Sequence, residues 1–313
     1  MKGLEICKKF YEEYGEPMIR ERFSDIEDLV AVGLFGSGSE CYGYDDEVSR
    51  DHDFEAGFCI ILPGEDVVDR KRAFELERAY SKLPETFMGL KRSKINPVGG
   101  NRHGVIRMSD FFTDKVGRSD GLLSGEEWFG VPETYLAEVV NGEVFKDVSG
   151  TFSAVREYLS TYPEDVRLKK LAGRLLLTAQ SGQYNYARCV TRGETAAAAL
   201  AAHEFTENAM SAIFLLNKRY KPYYKWAFRA LKDLERLSEY YDAFEYLITT
   251  DNSAETAKTK IAVIEDICGG IIAELKRQGL TAATCGDLER HAYSVNDKIS
   301  DPDVRNRHVL YAV

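Results

Sequence analysis

Short apolar runs bounded by turn residues mark the first half of the chain. Residues 29–35 (LVAVGLF) form a nearly continuous apolar run that predicts a buried strand. A second run over residues 54–62 stops at a Pro-Gly pair, and residues 104–108 follow a Gly-Gly turn. Both segments predict further strands.

Charged segments with an amphipathic pattern surround these runs. Residues 4–27 predict a helix that is interrupted near Gly15 and Pro17, and residues 66–83 predict a second helix. Strands and helices therefore mix in this part of the chain, which predicts an α/β domain over residues 1–150.

Beyond this point the strand pattern is replaced by the helical period. Apolar residues recur at helical spacing after Pro163, in a helix predicted to end at Ser181-Gly182. Long helices are also predicted over residues 195–217 and 261–275. The sequence thus predicts an α+β protein in which an all-α helical bundle over residues 151–313 follows a mixed-sheet domain.

Composition and cysteine use favour a soluble protein of the cytoplasm. Hydrophobic residues make up 44% and charged residues 29% of the 313 residues. Since the longest apolar runs are short and the first residues are charged, we expect neither a membrane span nor a secretory signal. The six cysteines form no C-x-x-C pair, so we expect free thiols in a reducing compartment.

The charge of the chain is negative but unevenly distributed. A net charge of −10 argues against a protein that binds bulk nucleic acid or an anionic membrane. Residues 164–236, however, carry 13 Lys/Arg and 7 Asp/Glu. A basic segment in an acidic protein suits a cleft for a nucleoside triphosphate, although solvated helix faces explain the same counts.

The residue types that carry chemistry are concentrated between the first two predicted strands. The first strand ends in the small residues of 36–39 (GSGS), where backbone N–H groups and hydroxyls can approach a phosphate. Asp51 and Asp53 precede the second strand, and on extended backbone both carboxylates point to one face. Two such carboxylates can hold Mg²⁺, and two ions can clamp a phosphoryl-type displacement. An ordinary Gly-Ser turn beside a solvent-facing edge strand would give the same pattern.

Other phosphate and metal motifs do not fit the spacing. The chain has no G-x-x-x-x-G-K-[ST], and Cys41 stands where a G-x-G-x-x-G motif needs glycine. His203-Glu204 is followed by Glu207 rather than by the second histidine of a zinc protease. These departures exclude a P-loop, a dinucleotide fingerprint and an H-E-x-x-H site.

The order strand, Gly-Ser, about a dozen residues, Asp-x-Asp, strand resembles the signature of the nucleotidyltransferase superfamily, which has the DNA polymerase β-like fold. The α/β half followed by a helical bundle is similar to antibiotic adenylyltransferases such as the kanamycin enzyme. A longer set of segments resembles the family catalogued as domain of unknown function 4037. These segments are residues 33–59, 141–147, 162–172, 180–189 and 215–226.

The resemblance implies roles for the residues that match the signature. Gly36 and Ser37 match the Gly-Ser pair that holds the nucleoside triphosphate. Asp51 and Asp53 match the pair that binds magnesium, with two ions expected. With Gly38 and Ser39, the turn is expected to cradle the β- and γ-phosphates.

A third carboxylate on a later strand completes the superfamily pattern, and here the chain departs from it. Arg107 stands where the acid is expected. Asp110 follows and, if two-residue alternation continues, shares a face with Ile106 and Met108. The third ligand or general base is therefore open, with Asp110 as one candidate.

Acids and cations of the bundle are further candidates. Glu204 or Glu207 could supply the general base if either lies within reach of the attacking hydroxyl. Arg188, Lys218 and Lys225 could bind phosphates, and the tyrosines and Trp226 near them could stack on a base or sugar. The same aromatics could equally be core residues whose polar tips are satisfied.

These observations lead to one functional expectation and two alternatives. We expect a Mg²⁺-dependent enzyme that transfers AMP from ATP to a hydroxyl of a small molecule and releases pyrophosphate. A nucleotide-binding sensor without catalysis is the first alternative, because Arg107 replaces an acid. A nucleotidyltransferase that modifies a protein is the second. The sequence does not indicate an oligomeric state.

Overall fold

The computed structural model describes residues 1–50, 55–92 and 103–313, with the Arg50 side chain excepted. Internal contacts divide the chain into two compact units, Met1–Ser160 (unit 1) and Thr161–Val313 (unit 2). The boundary between the units lies after the predicted boundary at residue 150, because unit 1 also includes the short helix Thr151–Tyr158.

Unit 1 contains both strands and helices. Its strands are β1 (Ala31–Leu34), β2 (Cys59–Leu62), β3 (Thr86–Phe87), β4 (Leu90–Lys91), β5 (Gly104–Arg107) and β6 (Glu143–Asp147). Its α-helices are α1 (Gly3–Phe10), α2 (Glu16–Arg22), α3 (Arg70–Ser81), α4 (Met108–Val116), α5 (Glu127–Gly130), α6 (Glu133–Val140) and α7 (Thr151–Tyr158). Short 3₁₀ turns cover Glu40–Tyr42 and Val48–Arg50.

Four strands form a mixed sheet in the order β5-β2-β1-β6, and β3 pairs with β4 in a separate hairpin. β1 is antiparallel to both of its neighbours, whereas β2 and β5 are parallel. Gly33 pairs with Cys59, so the chain enters β2 at the edge of the sheet where β1 ends. The turn after β1 and the start of β2 are therefore neighbours.

The central strands are buried along their whole length. Every residue of β1 and β2 is buried, which explains why both appear as continuous apolar runs in the sequence. Val32 and Ile60 belong to a core that includes Phe10 of α1 and Leu76 of α3. The first predicted strand is thus confirmed at its centre, and the second, predicted over residues 54–62, is confirmed at its C-terminal part.

The first helix is not interrupted at Gly15 and Pro17, which corrects the sequence-based expectation. α1 passes through a π-helical turn at Tyr11–Gly15 directly into α2. A Cβ at Gly15 would lie 2.4 Å from the Phe58 ring, so close packing accounts for this glycine. Pro17 lies in the first turn of α2, where proline is tolerated.

Unit 2, every residue of which the structure describes, is helical and has no strand. Its α-helices are α8 (Glu164–Thr178), α9 (Ala187–Thr191), α10 (Thr195–Leu216), α11 (Tyr224–Lys232), α12 (Tyr241–Thr249), α13 (Ala254–Arg277), α14 (Leu288–Asn296) and α15 (Pro302–Arg305). Short 3₁₀ turns cover Ser238–Tyr240 and Val309–Ala312. The α+β fold with a helical second half is thus confirmed.

The predicted helix end at Ser181-Gly182 is wrong. A π-helical turn at Ala179–Tyr186 continues α8 into α9. A Cβ at Gly182 would lie 2.2 Å from the Phe205 ring of α10. The glycine therefore allows two helices to approach closely instead of ending one of them.

The helices that the structure describes all lack the combination of length and apolar content that a bilayer crossing requires. The long α10 and α13 instead bury apolar stripes within unit 2. Lys260 of α13 is buried among them, with 1% of its surface exposed.

Lys260 stabilises the C-terminal end of α12 by donating hydrogen bonds. Its Nζ donates to the carbonyl oxygens of Leu247 and Thr250, each at 2.9 Å, and to Asn252 Oδ1 at 3.3 Å. We expect Lys260→Met to lower the free energy of unfolding by about 2 kcal/mol, because it leaves buried acceptors without a donor. Urea unfolding followed by circular dichroism measures this change.

Lys258, two residues earlier on α13 and exposed, provides the matched control. Lys258→Met should change stability by less than about 0.5 kcal/mol. Burial lowers the pKa of Lys260, and Asp251 offsets part of that effect. The unfolded chain then binds more protons, so the contribution of Lys260 rises with pH up to about 10.4. Equal losses of stability in Lys260→Met and Lys258→Met would contradict the stabilising role of Lys260.

Candidate functional site

The turn after β1 is built on glycines with positive φ angles. Gly36 has φ 106° and Gly38 has φ 141°, backbone conformations that residues other than glycine rarely adopt. The Gly36 N–H donates to Asn141 Oδ1 at 2.8 Å, and Asn141 Nδ2 donates to the Gly36 carbonyl at 2.7 Å. The Gly36 N–H is therefore engaged within the protein, and Gly36 contributes mainly the shape of the turn.

The segment that follows α6 holds this turn in place. The Gly142 N–H donates to the Cys41 carbonyl at 2.9 Å. Gly142 lies so close to β1 that a Cβ would be 1.9 Å from the Leu34 carbonyl oxygen. The pair Asn141-Gly142 thus anchors both ends of the turn that carries Ser37.

Arg156 of α7 supports Asn141 in turn. Its Nε donates to the Val139 carbonyl at 2.7 Å, and its Nη2 donates to the Asn141 carbonyl. The guanidinium packs on the rings of Phe35 and Phe152, at 5.1 and 5.7 Å. Burial lowers the pKa of Arg156 to about 10, so the side chain remains charged at neutral pH.

Sequence reasoning did not identify Asn141 or Arg156 as part of the site. The available signal was the Asn-Gly pair at the start of residues 141–147, a segment noted only for its family resemblance. Since Asn141 contacts Gly36 across 105 positions of sequence, spacing alone could not reveal the contact.

A pocket of about 570 Å³ opens beside this turn within unit 1. It lies between the turn, the strands β2 and β5, and the helices α3 and α4. The pocket brings together Gly36, Ser37 and Asp110, three of the residues that the sequence singles out. Arg107, the departure from the superfamily pattern, also lines it.

Asp110 is placed by a helix and not by a strand. The alternation that would put it on one face with Ile106 and Met108 fails, because α4 begins at Met108. Asp110 lies in the first turn of α4, is exposed, and accepts a long hydrogen bond of 3.5 Å from Ser109 Oγ. Among the described residues it forms no ion pair, so its carboxylate can act on a bound molecule.

Two of the cations in the pocket are paired with acids. Arg70 Nε contacts both carboxylate oxygens of Glu65, at 2.8 and 2.9 Å. Lys115 Nζ contacts Glu138 at 2.8 Å and Asp114 at 3.2 Å. Burial lowers the pKa of Lys115, but the hydrogen bond and charge of Glu138 outweigh this and raise it overall.

Arg107 differs from these two cations. Its Nη1 donates to the Pro63 carbonyl at 2.8 Å, and within the described ranges it has no carboxylate partner. A guanidinium has five N–H donors, so Arg107, which lines the pocket, has donors besides the one that contacts Pro63. No carboxylate of the described residues forms an ion pair with its guanidinium.

Four more residues of the first half are predicted to belong to the site. Asp51 and Asp53 fall outside the described residues. Gly38 and Ser39 do not line the pocket; Ser39 is buried, and its Oγ donates to Glu40 at 3.4 Å. In the part of the chain that the structure describes, no cluster of three or more His, Cys, Asp or Glu is arranged for a metal.

The other predicted residues lie on unit 2. Glu204 is exposed and accepts from Asn208 Nδ2 at 2.9 Å, and Glu207 pairs with Lys221 at 2.7 Å. The remaining candidates are Arg188, Lys218 and Lys225, all on or beside the unit 2 helices. Their predicted roles toward a triphosphate stay predictions.

Residues 128–227, about a third of the chain, match the family described as Domain of unknown function (DUF4037). The resemblance that the sequence predicts is therefore confirmed over these residues. The matched range includes the Asn141-Gly142 anchor and Arg156. No curated protein and no solved structure matches the chain.

Proposed function

We propose that this protein is a Mg²⁺-dependent nucleotidyltransferase. A hydroxyl of an acceptor attacks the α-phosphate of ATP, the bond to the β-phosphate oxygen breaks, and pyrophosphate leaves. The observation that carries the proposal is the pocket of unit 1, because one cavity joins the Gly36-Ser37 turn, the carboxylate of Asp110 and the guanidinium of Arg107.

The donor set of this proposal suits magnesium. Asp51 and Asp53 are the proposed ligands, and the carboxylate of Asp110 is a further hard oxygen donor that has no ion pair among the described residues. When bound, Mg²⁺ would neutralise phosphate charge. The chemistry of these carboxylates therefore fits the ion.

The residues of the pocket divide the remaining tasks. Ser37 lines the pocket, and its hydroxyl would donate to a phosphate oxygen. Arg107 would bind the departing pyrophosphate through guanidinium N–H groups other than the one that donates to Pro63. Asp110 would accept the proton of the attacking hydroxyl, with the proton passing to solvent afterwards.

The arginine provides the first test of this assignment. We expect Arg107→Gln to weaken the binding of a non-hydrolysable ATP analogue with Mg²⁺ by about 10- to 100-fold, because a charge-assisted contact is lost. Isothermal titration calorimetry measures the affinity. Arg78→Gln, an exposed arginine on α3, is the matched control and should bind as the wild type does. Unchanged affinity in Arg107→Gln would remove this residue from the proposal.

A sensor that binds nucleotide without catalysis remains the second candidate, since Arg107 occupies the place of an acid and lines the pocket. Pyrophosphate release separates the two functions when ATP, Mg²⁺ and a small-molecule extract of cells are supplied. Binding of ATP with no release of pyrophosphate in any fraction of the extract would favour the sensor. Label from ATP that appears on protein in a lysate would favour a protein acceptor over a small molecule.

A further inference from the structure

A second chemically distinct surface lies on unit 2, around α11. Residues 218–232 (KRYKPYYKWAFRALK) contain six Lys/Arg, five aromatic residues and no Asp/Glu. This concentration occurs in a chain with a net charge of −10. The segment therefore creates a local positive charge that the overall composition does not show.

The helix α11 (Tyr224–Lys232) has a buried side and a side that faces solvent. It buries Ala227 and Leu231 against the rest of unit 2. Tyr223 and Tyr224 remain 49% and 69% exposed, with their ring centroids 4.3 Å apart. Adjacent exposed aromatic rings offer flat faces on which another ring can stack.

The cations lie beside aromatic faces. Lys225 and Arg229 lie over Trp226, with distances of 4.9 and 5.4 Å to its ring. Lys232 Nζ lies 3.7 Å from the centroid of the Tyr241 ring. We call the set of Tyr223, Tyr224, Lys225, Trp226, Arg229 and Lys232 the basic aromatic surface.

The spacing of the cations fits a chain of phosphates better than a single anion. Residues 225, 229 and 232 follow the helical repeat, so their side chains lie along one face of α11. At about 1.5 Å per residue they extend over about 10 Å, more than one phosphate group covers. A polymer that alternates negative charge with flat rings matches both features.

We propose that the basic aromatic surface binds single-stranded nucleic acid. Bases would stack on Tyr223, Tyr224 and Trp226, and phosphates would contact the lysines and the arginine. A single strand is favoured over a duplex because stacking requires bases that are free of a partner. The negative net charge of the chain argues against binding to bulk nucleic acid. Binding of one strand to the basic aromatic surface requires only that this surface is complementary to the strand. The inference does not depend on the function proposed for unit 1.

Fluorescence anisotropy of the full chain with a labelled oligouridylate of about 15 nucleotides tests the proposal. We expect binding at low salt, and a plot of log K against log salt with a slope of about −2, because three cations would release counterions. The double variant Lys225→Glu, Lys232→Glu should lose at least about tenfold in affinity. Absence of binding by the wild type at low salt would overturn the proposal.

Two exposed lysines of α13 supply a control with the same change in charge. Lys258→Glu combined with Lys276→Glu alters net charge equally but leaves α11 intact. We expect this variant to keep most of the affinity. A loss as large as that of the α11 variant would show a non-specific effect of charge and would overturn the proposed surface.

The two tryptophans provide a readout that a purely structural role would not give. Trp128 is 1% exposed, whereas Trp226 is partly exposed, so quenching of fluorescence by stacked bases should come from Trp226. Trp226→Phe should abolish the quenching, and Tyr224→Ala should weaken binding by at least about fivefold. Poly-glutamate or anionic vesicles that bind as tightly as the oligonucleotide would overturn nucleic acid as the ligand.

Discussion

Asp51→Asn and Asp53→Asn are each expected to lower Mg²⁺-dependent pyrophosphate release at least about a thousandfold. Asparagine keeps the size of the side chain but removes the negative charge that a divalent ion requires. Because the ions of a phosphoryl-type reaction contribute several kcal/mol to charge stabilisation, losing a ligand costs several powers of ten in rate. An enzyme-coupled pyrophosphate assay with a range of Mg²⁺ concentrations measures the loss.

The control for this pair is Asp28→Asn, an exposed aspartate of unit 1 that should leave the rate unchanged. Thermal unfolding should be the same in all three variants within about 2 °C, since asparagine keeps the size of the aspartate side chain. Turnover retained in either of the first two variants would exclude that aspartate from the mechanism. It would also leave the pocket as a site for another kind of ligand.

Gly142→Ala is expected to destabilise the protein by about 4 kcal/mol. Two costs combine: Gly142 has φ 66°, and a Cβ there would lie 1.9 Å from the Leu34 carbonyl oxygen. Strain from the left-handed conformation costs about 1 kcal/mol, and the overlap forces a shift of β1 that costs about 3 kcal/mol. Chemical denaturation measures the loss, and weaker binding of the ATP analogue should accompany it.

Gly150→Ala separates the two costs. Gly150 has φ 69°, nearly the same conformation, but a Cβ there would meet no atom within 4 Å. This variant should therefore lose only the conformational part, about 1 kcal/mol. If both variants lost the same stability, the close approach of Gly142 to β1 would not be important.

Sequence patterns predict the parts of the fold in which burial is uniform. β1 and β2 are buried at every residue, so their apolar runs are unambiguous. In β6 every residue is half-buried, which leaves a mixed sequence without a clear period, and this strand was not predicted. A continuous apolar run thus indicates a fully buried strand, whereas the partly buried β5 was predicted with the help of the Gly-Gly pair before it.

The site is predicted less completely than the fold, for a different reason. Gly36 and Ser37 could be found because they are adjacent in sequence and follow a strand. Their supports, Asn141 and Arg156, come from distant segments, and only the folded chain brings them together. The placement of Asp110 was wrong because the helix α4 begins at Met108, immediately after β5. The roles of Asp51 and Asp53 stay predictions.

The π-helical turn at Ala179–Tyr186 changes the phase of the helical repeat. One residue of an α-helix corresponds to a rotation of about 100°, so apolar positions before and after a wide turn follow separate registers. A deletion of one residue inside the turn would rotate α9 and redirect its side chains. The number of residues in this stretch is therefore more tightly constrained than their chemical type, except at Gly182.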